Sequence, residues 1–242
     1  MIKPYSNSRA INFLCYLIVA LPLLVFFILS CSSKPVSEPV IPTVTAKEAI
    51  NLSEAAMASL DSFSFELSHD SGSTMLSSGL NLTRAAGVIT RNGLDLEAEA
   101  NIGRAFVRIE AVVINEKTWM TNPLTGTWSE IPPEDSPFSF FDPVSLVADI
   151  LGKTQSPQYP LDSPPDGALI INGLIPATTL VALIGVVDPN AVPEVPLTLD
   201  TTSYLLQKNI ITGVAQVEDD DDTTRVISLG EFNSQVTLKP PI

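Results

Sequence analysis

From Leu94 to Ala111 apolar and polar residues take turns. Leu94, Leu96, Ala98, Ala100 and Ile102 alternate with Asp95, Glu97, Glu99 and Asn101, and Ala105, Val107, Ile109 and Ala111 continue the pattern beyond a turn at Asn101-Ile102-Gly103. A period of two places one set on a buried face and the other in water, which commits this part of the chain to antiparallel strands. The same period holds for Phe63, Phe65 and Leu67 against Ser64, Glu66 and Ser68. Leu80 and Leu82 open a further strand running through Arg84 towards Ile89.

Helical signals frame this meander. Thr45 with Glu48 three residues on is a capping box, and Ala49, Leu52, Ala56 and Leu60 recur at helical spacing, predicting a helix to about Leu60. Trp119 and Trp128 flank a turn at Asn122-Pro123-Leu124-Thr125-Gly126, so they are expected to pack across a hairpin or to form the lip of an opening. Asp142-Pro143 announces a second helix to about Leu151, stopped by Gly152. Residues 153–166 read as a Pro-rich loop, followed by a strand over Ala168–Leu174. A very apolar third helix, with Leu180, Val181, Leu183 and Ile184, runs from Pro176 through Gly185. Strands near Val195–Leu199, Tyr204–Val217 and Thr224–Leu238 close the chain, the last broken around Gly230-Glu231-Phe232-Asn233. Helix, meander, two helices, meander is an α+β order.

The first thirty residues belong to a different kind of segment. Lys3 and Arg9 precede an apolar run from Ile11 to Leu29, which ends in Ile28-Leu29-Ser30-Cys31. That ending is similar to a bacterial lipobox, where a diacylglycerol thioether forms on the cysteine and the preceding peptide is removed. The alternative is an uncleaved anchor, since about nineteen apolar residues approach the roughly 20 that span a bilayer. Either way the body of the protein is expected outside the cytoplasm, held at a cell membrane. Residues 1–30 are then a signal peptide and 31–45 a tether from lipidated Cys31, kept extended by Pro35, Pro39 and Pro42. Residues 46–242 are the folded domain. A two-chain lipid anchor is stable, each buried methylene contributing about 0.8 kcal/mol.

Charge and cysteine usage narrow the partners. Lys3 and Arg9 lie before Cys31 and no acid does, so eleven basic residues face twenty-seven acidic ones in the remaining 212, a net charge of −16. Such a chain does not bind nucleic acid and is not drawn to anionic headgroups. Cys15 leaves with the signal and Cys31 carries the lipid, which excludes a disulfide or a cysteine metal site.

The series Trp119-Met120-Thr121-Asn122-Pro123-Leu124-Thr125-Gly126-Thr127-Trp128, then Phe141-Asp142-Pro143, resembles the LppX/LprAFG family of mycobacterial-type lipoproteins. Val195-Pro196-Leu197-Thr198-Leu199, Ile211-Thr212-Gly213, Thr224-Arg225-Val226-Ile227-Ser228-Leu229 and Val236-Thr237-Leu238 carry the likeness to the end of the chain. The resemblance implies a curved antiparallel half-barrel like the carriers LolA and LolB. Helices cover its concave face, and an apolar cavity there receives acyl chains of lipids or glycolipids. The residues expected to line it are Leu60, Phe63, Phe65, Leu96, Ala98, Ala100, Val107, Ile109, Leu180, Leu183 and Ile184. Small Ala98, Ala100, Ala105 and Ala111 on buried rows leave volume for such a cavity, unless the helices pack tightly onto them.

Other constellations carry less. His69-Asp70-Ser71 has the residue types of a catalytic triad, but consecutive residues of a strand point to opposite faces. A single histidine excludes a multi-histidine metal site. The acidic run Glu218 to Asp222 lacks the spacing of an EF-hand calcium loop and reads as a solvated hairpin tip. The expectation is a lipid-binding envelope lipoprotein that is not an enzyme and needs no cofactor or metal. It would exchange lipid with a membrane and an acceptor or transporter protein, with residues 153–166 and 176–187 as a lid. The alternative is a structural or assembly lipoprotein with a filled core.

Overall fold

Thr45 caps the first helix, its Oγ1 accepting from the Glu48 backbone N–H at 3.2 Å. In the computed structural model, which describes residues 44–76, 79–115, 117–135, 143–161 and 167–242, this helix is α1 (Ala46–Ala58). Its buried side is Ala46, Ala49, Ile50, Ser53 and Met57, while Leu52 is exposed. The expected apolar face is thus rotated, because the position that buries Ile50 and Met57 removes more apolar surface than one burying Leu52 and Ala56.

The rest is one antiparallel sheet. Its strands are β1 (Ser62–Ser71), β2 (Thr74–Met75), β3 (Leu80–Thr90), β4 (Gly93–Ile102), β5 (Ala105–Ile114), β6 (Lys117–Thr121), β7 (Trp128–Ile131), β8 (Gln155–Gln158), β9 (Ala168–Leu174), β10 (Leu197–Asp200), β11 (Leu206–Thr212) and β12 (Thr224–Gly230). They lie in the order β7-β6-β5-β4-β3-β1-β12-β11-β10-β9-β8, with β2 beside β3, so the sheet does not close and β1 sits at its centre. Antiparallel pairings of strands near in sequence build each flank, and one long-range pairing, β1 with β12, joins them.

Two backbones approach closely within the sheet. A Cβ on Gly87 would run into the Asp95 carbonyl oxygen across the β3–β4 pair. Only glycine lets the two backbones come that near. A register shift between Leu82 and Arg84 adds a second irregularity in the same strand pair.

Helices α2 (Pro143–Lys153) and α3 (Val181–Ile184), the latter entered through a 3₁₀ turn at Ala177–Leu180, pack with α1 on the sheet's buried face. Gly185 ends α3 in a left-handed conformation, φ 73°. Gly152 does not stop α2, which runs one residue further, and its Asp142 cap lies outside the described residues. The Pro-rich stretch expected as loop contains β8, a strand that tolerates Pro157 because it is an edge. The terminal strand ends at Gly230, and residues 231–242 form a strandless tail. Hydrogen bonds from Asn233 N to the Ser62 carbonyl (2.8 Å) and from Ser62 Oγ to the Ser234 carbonyl (2.7 Å) fix that tail to the start of β1. No helix among the described residues is long and apolar enough to cross a membrane. Residues 1–43, including Cys31 and the expected signal, lie outside the described residues.

Candidate functional site

Strand register brings the interior together row by row. Directly opposed residues in an antiparallel sheet share a face. One row can therefore be followed across eight strands: Ile109, Ala98, Ala85, Leu67, Ile227, Asn209, Leu197 and Ile171. Every member is buried, and the two alanines stand side by side. A neighbouring row holds Ala100 between Leu82 and Val107.

All eleven residues expected to line an interior site, Leu60, Phe63, Phe65, Leu96, Ala98, Ala100, Val107, Ile109, Leu180, Leu183 and Ile184, belong to a single buried apolar cluster. Opposite the sheet it contains Ile50 and Met57 of α1, Leu146, Ile150 and Leu151 of α2, and Ile175 and Ala177 beside α3. The interior is therefore an apolar layer between sheet and helices, lined by these side chains. Trp119 is also buried but pairs with Val112 and Glu130, whereas Trp128 opposes Thr121. The two tryptophans lie on one face a diagonal step apart, the position of a cross-strand pair.

The inward face is polar at one end. Arg225, fully buried opposite Ile211 and His69, forms a two-pronged pair with Asp219 at 2.7 and 2.8 Å. It also donates to Thr74 Oγ1 (2.9 Å), the Ser73 carbonyl and Gln216 Oε1 (both 3.1 Å). Burial pushes the Asp219 carboxyl up, but the Arg225 guanidinium and the Gln216 and Ala215 N–H groups hold it below the ordinary carboxylate range. The expected solvated acidic tip is thus corrected at its second residue, which turns inward because it neutralises a buried cation.

His69 belongs to the same cluster. Thr74 Oγ1 accepts from Arg225 Nε, so its own proton goes to His69 Nε2 (2.9 Å), and His69 Nδ1–H donates to the Thr83 carbonyl (2.9 Å). The ring is held neutral, its pKa lowered by burial and by the Arg225 charge against the opposing pull of the Thr83 bond. Ser71 Oγ donates to Asp222 instead (3.1 Å), so the three consecutive residues form no triad.

Gln216 connects this cluster to the cover. Its Oε1 accepts from Met75 N (2.9 Å), while Nε2 donates to the Met75 (2.9 Å), Ile184 (3.2 Å) and Val186 (3.0 Å) carbonyls. The end of α3 is thereby tied to β2 through one side chain. Asn209 contrasts with it: 1% exposed, it has no partner at Oδ1 or Nδ2. The Ser53 and Thr179 hydroxyls are also buried without partners.

On the opposite face, Ser64, Glu66, Arg84, Ala86, Gly87, Asp95, Glu97 and Ser228 line an open recess of about 580 Å³. Burial there pushes the Asp95 carboxyl up. Asn209, Arg225, Asp219 and Gln216 were not predicted from the sequence. A polar residue in a strand reads as solvent-facing, and the irregular register between β10 and β11 obscures which residues of β11 face inward.

No protein-family model matches the sequence, and neither does any curated protein. Among solved structures, LprF from Mycobacterium bovis aligns with a TM-score of 0.60 at 17% identity, over 81% of this chain and 96% of that one. The lipoprotein LppX from Mycobacterium tuberculosis aligns with a TM-score of 0.56 at 16% identity, over 80% of this chain and 98% of that one. The chain shares their fold, an open antiparallel half-barrel covered by helices.

Proposed function

We propose that this protein is a cell-envelope lipoprotein, lipid-modified at Cys31, that binds acyl chains of lipids or glycolipids between its sheet and helices. It carries them between a membrane and an acceptor protein by partition, and catalyses nothing. The observation that carries the reading is the inner face itself. A largely apolar row crosses eight strands with adjacent alanines in its middle, and three helices, one of them a single turn, pack over that face. The fold shared with the lipoprotein LppX supports it.

An acyl chain entering this layer gains about 0.8 kcal/mol per buried methylene. The cover that moves to admit it is α3 with the 176–187 segment, aided by residues 153–166, of which 162–166 lie outside the described residues. The end of that cover is joined to β2 through the side chain of Gln216. That all eleven expected lining residues join one buried cluster favours a second reading, a lipoprotein with a filled core that acts through its surface.

Native mass spectrometry with lipid extraction on the full-length protein separates the two. Acyl lipid released from the folded protein is the expected result. A lipid-free domain mass beyond the anchor, with no uptake from added phosphatidylcholine vesicles, would leave the surface-acting reading.

A further inference from the structure

Asn209 stands where the sheet has no use for it. Register places it between Leu197 and Ile227, both core residues, so its side chain faces the helices. It is the one polar member of the eight-strand row, 1% exposed, and both ends of its carboxamide are open. Arg225, also inward-facing on the adjacent strand β12, shows what this fold does with a buried polar group of its own: every neighbour serves it. A primary amide buried with neither donor nor acceptor matched is costly, and an apolar side chain of similar shape would avoid the cost. Among the described residues nothing answers either end.

We propose that Asn209 is the polar anchor of the interior lipid site and pairs with a hydroxyl carried by an acyl lipid. This rests on the lipid-binding reading above. A hydroxyl matches both open ends, accepting from Nδ2–H and donating to Oδ1, whereas an ester carbonyl only accepts and answers one. The unpartnered hydroxyls of Ser53 on α1 and Thr179 beside α3 add polar capacity on the helical side of the same layer. A site that spends a buried amide on a hydroxyl discriminates against the chain that lacks it, because the amide is then left unpaired.

The test is a competition. Full-length protein is incubated with an equimolar mixture of stearic acid and monohydroxystearic acids bearing the hydroxyl beside the carboxyl group, at mid-chain or near the methyl end. The bound ratio is read by native mass spectrometry. The wild type is expected to retain one hydroxylated acid about tenfold over stearic acid, the ratio of one hydrogen bond. Asn209→Leu should bring the ratio near unity while stearic acid still binds. Equal ratios in wild type and variant would overturn the anchor and leave lipid binding standing. Retention of neither acid by either protein would overturn both. Should Asn209→Leu not fold, Asn209→Ala carries the same comparison.

Discussion

A buried guanidinium is tolerable only while its counter-charge stays in place. Arg225 and Asp219 are both within the interior, at 0% and 4% side-chain exposure, so removing either leaves the other charged and unpaired. Asp219→Asn or Arg225→Leu is expected to cost about 3–5 kcal/mol in urea unfolding, and the double replacement with two apolar residues much less. His69 gives the same cluster a pH signature. The unfolded chain takes up a proton near the ordinary histidine value of about 6.5, while the folded ring resists it. Stability is therefore whole above about pH 6.5 and drains as pH falls from there through the depressed folded value. His69→Gln should flatten the urea midpoint between about pH 5 and 7. Asp219, whose folded pKa is also depressed, acts in a lower window: its contribution is present above about pH 3.9 and is lost as pH falls through its folded value.

At the level of elements, what could be read beforehand was what depends on period. The strands from Ser62 to Ile114 follow their alternation except at Ile102 and Ala105, expected on the buried set but exposed beside the β4–β5 turn, and α1 starts at its Thr45 cap. The eleven interior candidates were legible for the same reason, since alternation says which face is buried. What escaped depends on partners distant in sequence. β2 is two residues long and exists by pairing with β3, and β8 hides in a Pro-rich stretch because its ladder with β9 is irregular. Asn209 and Arg225 escaped because their inward direction follows from strand register. Gly87 likewise reads as an ordinary interruption until the Asp95 carbonyl of the next strand is seen against it. Gly87→Ala drives a methyl group at a backbone oxygen that cannot rotate away, so the strands must separate. A loss of about 1–3 kcal/mol is expected in urea unfolding.

Taken whole, the molecule is a sheet with two ends rather than a closed ring, and its ends are β7 and β8. Both are four residues long. β7 runs directly into Pro132-Pro133, while β8 carries Pro157, which has no N–H to offer, beside Ser156 at φ 50°. Edges built this way present no row of free amides for another strand to follow. Pro157→Val should promote self-association, visible in sedimentation as species larger than the wild type at equal concentration. Were the proposed tether at Cys31 in place, the matter would become one of crowding. Copies confined to a plane meet far more often than copies in free solution, and an open sheet is the shape most easily joined edge to edge. Under that tether, two stretches of proline would keep neighbouring copies apart.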